Sequence, residues 1–80
     1  MEYPKPSRIA TIQKHHPWML EREVSGLLVA MYAAICATSS PDDDIQELMD
    51  EGVERICADS RKGVEHALSN LPPKLLAACD

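Results

Sequence analysis

The thirteen residues from Ser25 to Ala37, SGLLVAMYAAICA, carry no charged side chain and almost no polar one. Such a stretch must be covered, and that limits what the rest of the chain can become. Large apolar residues recur at Leu20, Val24, Leu27, Leu28, Met31 and Ile35, the i, i+3, i+4, i+7 spacing of a helix face. Small residues (Gly26, Ala30, Ala33, Ala34, Ala37) gather on a second face. Polar cover is confined to Glu21, Arg22 and Glu23 at the start. A helix that is apolar all round is buried all round. A bilayer span needs about 20 apolar residues, more than this run supplies, so no membrane span is expected.

The flanking sequence reads as further helices, and the expected fold class is all-α. It is a single domain over residues 1–80, a small bundle around a central apolar helix, completed by dimerisation. Residues 1–6 hold two prolines and suit an extended arm. Ser7 is a candidate N-cap for a short helix over 8–15. The IATI run inside it is also strand-friendly, but no second strand is available to pair with it. His15-His16-Pro17 breaks that element, and Pro17 fits the first position of the central helix, 17–38. Ser40, Pro41 and Asp43 fit the first turn of an acidic amphipathic helix over 41–69. The positions on its inner face (Ile45, Leu48, Met49, Val53, Ile56, Cys57, Ser60, Val64, Ala67, Leu68, Leu71) keep one phase, so the sequence allows either one helix or a break near 59–60. In the second case Ser60 is the cap. Pro72-Pro73 ends this element and opens a short helix over 73–79.

An 80-residue domain buries a modest share of its surface, about 60–65%, and chains of this size often need a staple or a partner. Cys36, Cys57 and Cys79 are odd in number and lie about twenty residues apart, which is no disulfide framework and no zinc motif. Cys36 and Cys57 fall in apolar stripes and are expected to be buried, inert thiols. Free thiols, and an N-terminus without an apolar signal core, point to the cytoplasm.

Few kinds of chemistry have the residues they need. His15 and His16 are adjacent, and no HExxH spacing occurs, so structural or solvated histidines are expected. On one continuous helix Cys57 and His66 would face opposite sides. Asp42-Asp43-Asp44 lacks the alternation and the glycine of a calcium loop. No phosphate-binding glycine loop is present. The expectation is a protein that is not an enzyme and takes no cofactor and no metal.

Charge is the informative surface property. The chain's net charge is −5, yet residues 42–59 hold eight acids (Asp42, Asp43, Asp44, Glu47, Asp50, Glu51, Glu54, Asp59) against Arg55. This disfavours direct binding to nucleic acid or to an anionic membrane. On the acidic helix, Asp43, Glu47, Asp50, Glu51 and Glu54 form the outer face and are the candidate partner-binding residues. Like charges at i, i+4 cost a few tenths of a kcal/mol each, roughly 0.2–0.5, where Glu–Lys pairs would have helped. The acids either form a plain solvated face or present a carboxylate row to a basic, nucleic-acid-binding groove. On the central helix the candidate homodimer contact is Gly26, Ala30, Ala33, Ala34 and Ala37, with Leu27 and Met31 beside them.

In its length and in the acidic segment PDDDIQELMDEGVE the chain resembles the small phage-encoded anti-CRISPR inhibitors. These share no sequence signature, so the resemblance assigns no residue a role. It implies an inhibitor in the host cytosol, bound to a CRISPR effector subunit with a basic groove and blocking target DNA. The alternative is a dimeric helical adaptor or regulatory module docking through its apolar helix. A third reading is a small thiol- or metal-dependent enzyme.

Overall fold

The computed structural model describes residues 5–71 and shows an all-α architecture. The four helices among these residues are α1 (Pro6–His15), α2 (Glu21–Thr38), α3 (Ile45–Ala58) and α4 (Arg61–Ser69). The expected helix over 73–79, with Cys79, lies outside the described residues.

Each helix starts where a local cap fits, and several starts differ from expectation. α1 begins at Pro6, not Arg8, with extended Lys5 as its cap residue. Proline suits this first position because its missing N–H has no partner to lose. Ser7 is therefore inside the helix, and its carbonyl accepts the Thr11 hydroxyl at 2.9 Å. α2 begins at Glu21 rather than Pro17. Residues 17–19 instead form a turn, in which Met19 N donates to the His16 carbonyl at 3.0 Å. That turn buries both Met19 and His16. Leu20 is extended, and its N–H is held by the Glu23 carboxylate at 2.8 Å.

The acidic helix begins at Ile45, not Pro41, and it is two helices. Part of the expected cap does form, since the Asp43 carboxylate accepts from Ser40 N at 2.9 Å. It closes only a turn. Asp44 is extended, and its carboxylate takes the Gln46 and Glu47 N–H groups at 3.1 and 3.3 Å. Three successive aspartates compete for capping roles rather than continuing a helix, and the one nearest the apolar run prevails. The break falls at Asp59-Ser60, both extended, and the Ser60 hydroxyl caps α4 through Gly63 N at 3.1 Å.

The core comprises Ile12 from α1, Met19 from the turn, Val24, Leu27 and Leu28 from α2, Met49 and Val53 from α3, and Val64 from α4. α3 packs on both α1 and α2, and α4 packs on α2. Burial along α2 is uneven. Residues 24–28 are fully covered, whereas Ala33, Ala34, Cys36 and Ala37 are exposed. The central helix is therefore not covered on all sides among the described residues: in its second half Met31, Tyr32 and Ile35 pack against the core and the alanine side stays open. Cys36 is exposed and Cys57 half-buried, so the expected pair of core thiols is absent.

Two glycines on the acidic segment look alike in sequence and differ in surroundings. A Cβ on buried Gly52 would collide with the Met31 sulfur and lie 3.0 Å from its Cε. The atoms nearest a Cβ on Gly63 would be those of the Asp59 carboxylate, 2.5 Å away, the far end of an exposed side chain whose Oδ1 accepts from Ser60 N at 2.8 Å. Alanine gains about 1 kcal/mol of helix propensity at either site. At Gly52 the overpacking against Met31, about 1–3 kcal/mol, outweighs it. Urea unfolding is thus expected to show Gly52→Ala destabilised and Gly63→Ala stabilised by up to about 1 kcal/mol. A stabilised Gly52→Ala would mean that the α2–α3 approach does not depend on Gly52, and a destabilised Gly63→Ala that the Asp59 carboxylate does not move aside.

Candidate functional site

The acidic residues do not form one uniform face. Asp43 lies in the turn ahead of α3, engaged with Ser40. Asp50 is on α3 but is taken by α1: Arg8 Nε and Nη2 donate to its Oδ1 at 3.1 and 3.0 Å. Arg8 Nη2 also donates to the Gln46 carbonyl at 3.1 Å. Arg8 is 6% exposed, although it is charged. What remains is Glu47, Glu51 and Glu54, all exposed and none in an ion pair among the described residues. Their i, i+4, i+7 spacing makes a carboxylate stripe about 10 Å long at 1.5 Å rise per residue. Of the like-charge pairs expected along the helix, Asp43–Glu47 is undone because Asp43 precedes it. Asp50–Glu54 is relieved by Arg8.

The dimer candidates also separate. Gly26 and Leu27 are buried within the chain itself, and Ala30 and Met31 are half-buried. Ala33, Ala34 and Ala37 are exposed, together with Cys36. The Tyr32 hydroxyl, one turn before Cys36, is raised above its ordinary pKa, chiefly by a hydrogen bond and charge interaction with that thiol.

Beside the carboxylate stripe lies an open groove of about 370 Å³ between α1 and α3, lined by Thr11, His15, Val53, Glu54, Cys57 and Ala58. The Thr11 carbonyl lies at its α1 wall. It accepts from His15 Nδ1 at 3.0 Å and faces the Cys57 thiol at 3.9 Å. Burial and then the neighbouring Glu54 carboxylate push the Cys57 thiol above its ordinary pKa. A thiol held protonated is a poor nucleophile. His66 is exposed on α4 and does not line this groove; His15 does. Among the described residues no cluster of three or more His, Cys, Asp or Glu could hold a metal ion. No helix there is long and apolar enough to cross a membrane.

Cys57 is accordingly expected to react with iodoacetamide at pH 8 more slowly than exposed Cys36, as read by peptide mass spectrometry. Glu54→Gln should accelerate Cys57 by removing the charge that disfavours its thiolate. An unchanged rate would show that Glu54 does not act on this thiol.

The polar anchors that position the groove were not marked by any motif. His16 is buried, and its Nε2–H donates to the Ile56 carbonyl at 2.7 Å, tying the end of α1 to the end of α3. Its ring meets Trp18 edge-on with centroids 5.9 Å apart, and the Arg61 guanidinium sits 4.7 Å above the same indole. This cluster ties the first turn of α4 to the 16–20 turn. Arg8 lies four residues before Ile12, on the buried stripe of α1, and that spacing is the signal that could have found it.

Comparison with known protein families, curated proteins and solved structures gives no match.

Proposed function

We propose that this chain is a non-enzymatic inhibitor that uses the α3 carboxylate stripe to occupy the basic, nucleic-acid-binding surface of another protein, in the manner of an anti-CRISPR protein. The observation that supports this reading is the exposure of Glu47, Glu51 and Glu54 without ion-pair partners among the described residues, while Asp50 beside them is paired with Arg8 from within the chain. Exposed carboxylates along one stripe can meet the Lys and Arg side chains that otherwise contact phosphates. The natural partner is a CRISPR effector subunit with a basic groove, in a host cytosol. The test is capture of partners from a bacterial lysate with and without DNA competitor. Recovery of an RNA-guided complex that DNA displaces supports the reading; recovery of no basic partner overturns it.

The same proposal makes the protein a homodimer. What supports this is the uncharged, exposed side of the second half of α2, where Ala33, Ala34 and Ala37 would let a second helix approach closely. Light scattering on a size-exclusion column is expected to give twice 8.9 kDa, and a clean monomer at micromolar concentration would remove the dimer from the proposal. The same half of α2 favours a second reading, a helical adaptor docking through that face. It would lose its partner on Ala34 or Ala37 substitution and be indifferent to the charge of α3.

A further inference from the structure

We propose that the open end of the α1–α3 seam, between His15 and Glu54, seats an arginine side chain of the protein partner. The inference rests on the reading of α3 as a binding face for a basic protein, and it names the residue type that face selects. The seam already holds one guanidinium. At its closed end Arg8 from α1 is buried against α3, bonded to the Asp50 carboxylate and to the backbone carbonyl of Gln46 one turn earlier. α1 and α3 run parallel here: Arg8 meets Gln46 and Asp50, and His16, eight residues on, meets Ile56. One turn beyond Asp50 on α3 stands Glu54, a carboxylate four residues later on nearly the same face. No arginine of this chain fills the space beside it. The groove there is lined instead by Thr11, His15, Val53, Cys57 and Ala58.

The lining suits a guanidinium on a long stem. Val53 and Ala58 supply apolar wall, which the methylenes of arginine can cover while the charge stays at the mouth. Glu54 supplies the counter-charge, and among the described residues neither lysine nor arginine lines the groove. His15 commits its Nδ1–H to the Thr11 carbonyl, so in the neutral ring Nε2 is an acceptor. The thiol of Cys57 is uncharged. A planar cation with five donors uses such scattered acceptors and stacks on an imidazole, whereas an ammonium does so less well. The volume is within the range of about 300–1,000 Å³ typical of sites for small organic groups.

The test compares an arginine-rich peptide with the same peptide carrying lysine at every arginine. Binding is read by backbone amide shifts of Thr11, His15 and Val53. It is read independently by alkylation of Cys57 in a Cys36→Ser, Cys79→Ser variant. The arginine peptide is expected to bind about tenfold more tightly than the lysine peptide and to slow Cys57 alkylation at equal concentration. Ala58→Trp, at an exposed position, keeps every carboxylate and obstructs the groove, so it should abolish the preference for arginine. Equal affinity for the two peptides, or a full preference for arginine in Ala58→Trp, would overturn the inference. If both peptides bind equally and Glu47→Lys with Glu51→Lys abolishes both, the carboxylate reading stands without the arginine seat. If neither peptide binds, both fall.

Discussion

Leu28→Ala is expected to leave the protein largely unfolded at 37 °C, with a loss of about 3–5 kcal/mol. Leu28 has no exposed surface and sits in the one stretch of α2 that is fully covered. It belongs to one core cluster with Ile12 of α1, Met49 and Val53 of α3 and Val64 of α4, so the core it fills is built from several elements and is not closed by shifting one. A chain of 80 residues has roughly 4–12 kcal/mol of stability in total, at about 0.05–0.15 kcal/mol per residue. The loss is therefore a large part of the whole. Leu20 is the matching control. In sequence it belongs to the same apolar stripe, but it precedes the helix in an extended conformation and is 53% exposed. Leu20→Ala should change stability by no more than about 0.5 kcal/mol. Urea unfolding followed by far-ultraviolet circular dichroism gives both values. Equal losses would show that the core is not centred on residues 24–28.

The contrast between Leu20 and Leu28 also shows what the sequence could and could not convey. Periodicity identified helical segments, because local spacing encodes which side of a helix is apolar. It did not fix where α2 and α3 start. Those boundaries are decided by competition among adjacent caps, in which Asp44 prevails over Ser40 and the Pro17–Met19 turn displaces a first helical turn. The break at Asp59-Ser60 was open in sequence because the apolar phase continues across it. It is settled by long-range contacts, with His16 bonded to the Ile56 carbonyl and Arg61 stacked over Trp18. Cys36 lies exposed despite its apolar neighbours for a related reason: an apolar stripe shows that a face could be buried, not that a partner covers it. For the candidate site, the exposure of Glu47, Glu51 and Glu54 was legible because charged residues on a helix face away from its core. The removal of Asp50 by Arg8, and the groove between α1 and α3, depend on packing between segments about forty residues apart. No local pattern carries that information.

Reversing the stripe, with Glu47→Lys, Glu51→Lys and Glu54→Lys together, is expected to weaken binding to the captured basic partner by about a hundredfold or more, since juxtaposed like charges cost several kcal/mol. The fold should survive the change. All three side chains are exposed, and Glu47–Glu51 is a repulsive pair already. Lysine at position 47 gives up a favourable interaction with the start of α3, roughly 0.3–1 kcal/mol, so the net change in stability stays within about 1 kcal/mol. Loss of binding could then not be ascribed to unfolding. Salt separates the mechanism further. Attraction between exposed charges is screened over a Debye length of about 8 Å at physiological ionic strength. The wild-type affinity should therefore fall steeply as salt rises, mostly through slower association, and the reversed variant should show no such fall. Asp50→Asn is the internal contrast. Its carboxylate is committed to Arg8, so neutralising it should cost stability through the loosened Arg8 contact and leave partner affinity nearly unchanged. A partner that binds the triple variant as tightly as the wild type, or that binds equally at low and high salt, would rule out the carboxylate stripe as the contact surface. Docking would then fall to the uncharged end of α2, and loss of binding in Ala34→Glu, with the charges of α3 intact, would identify it.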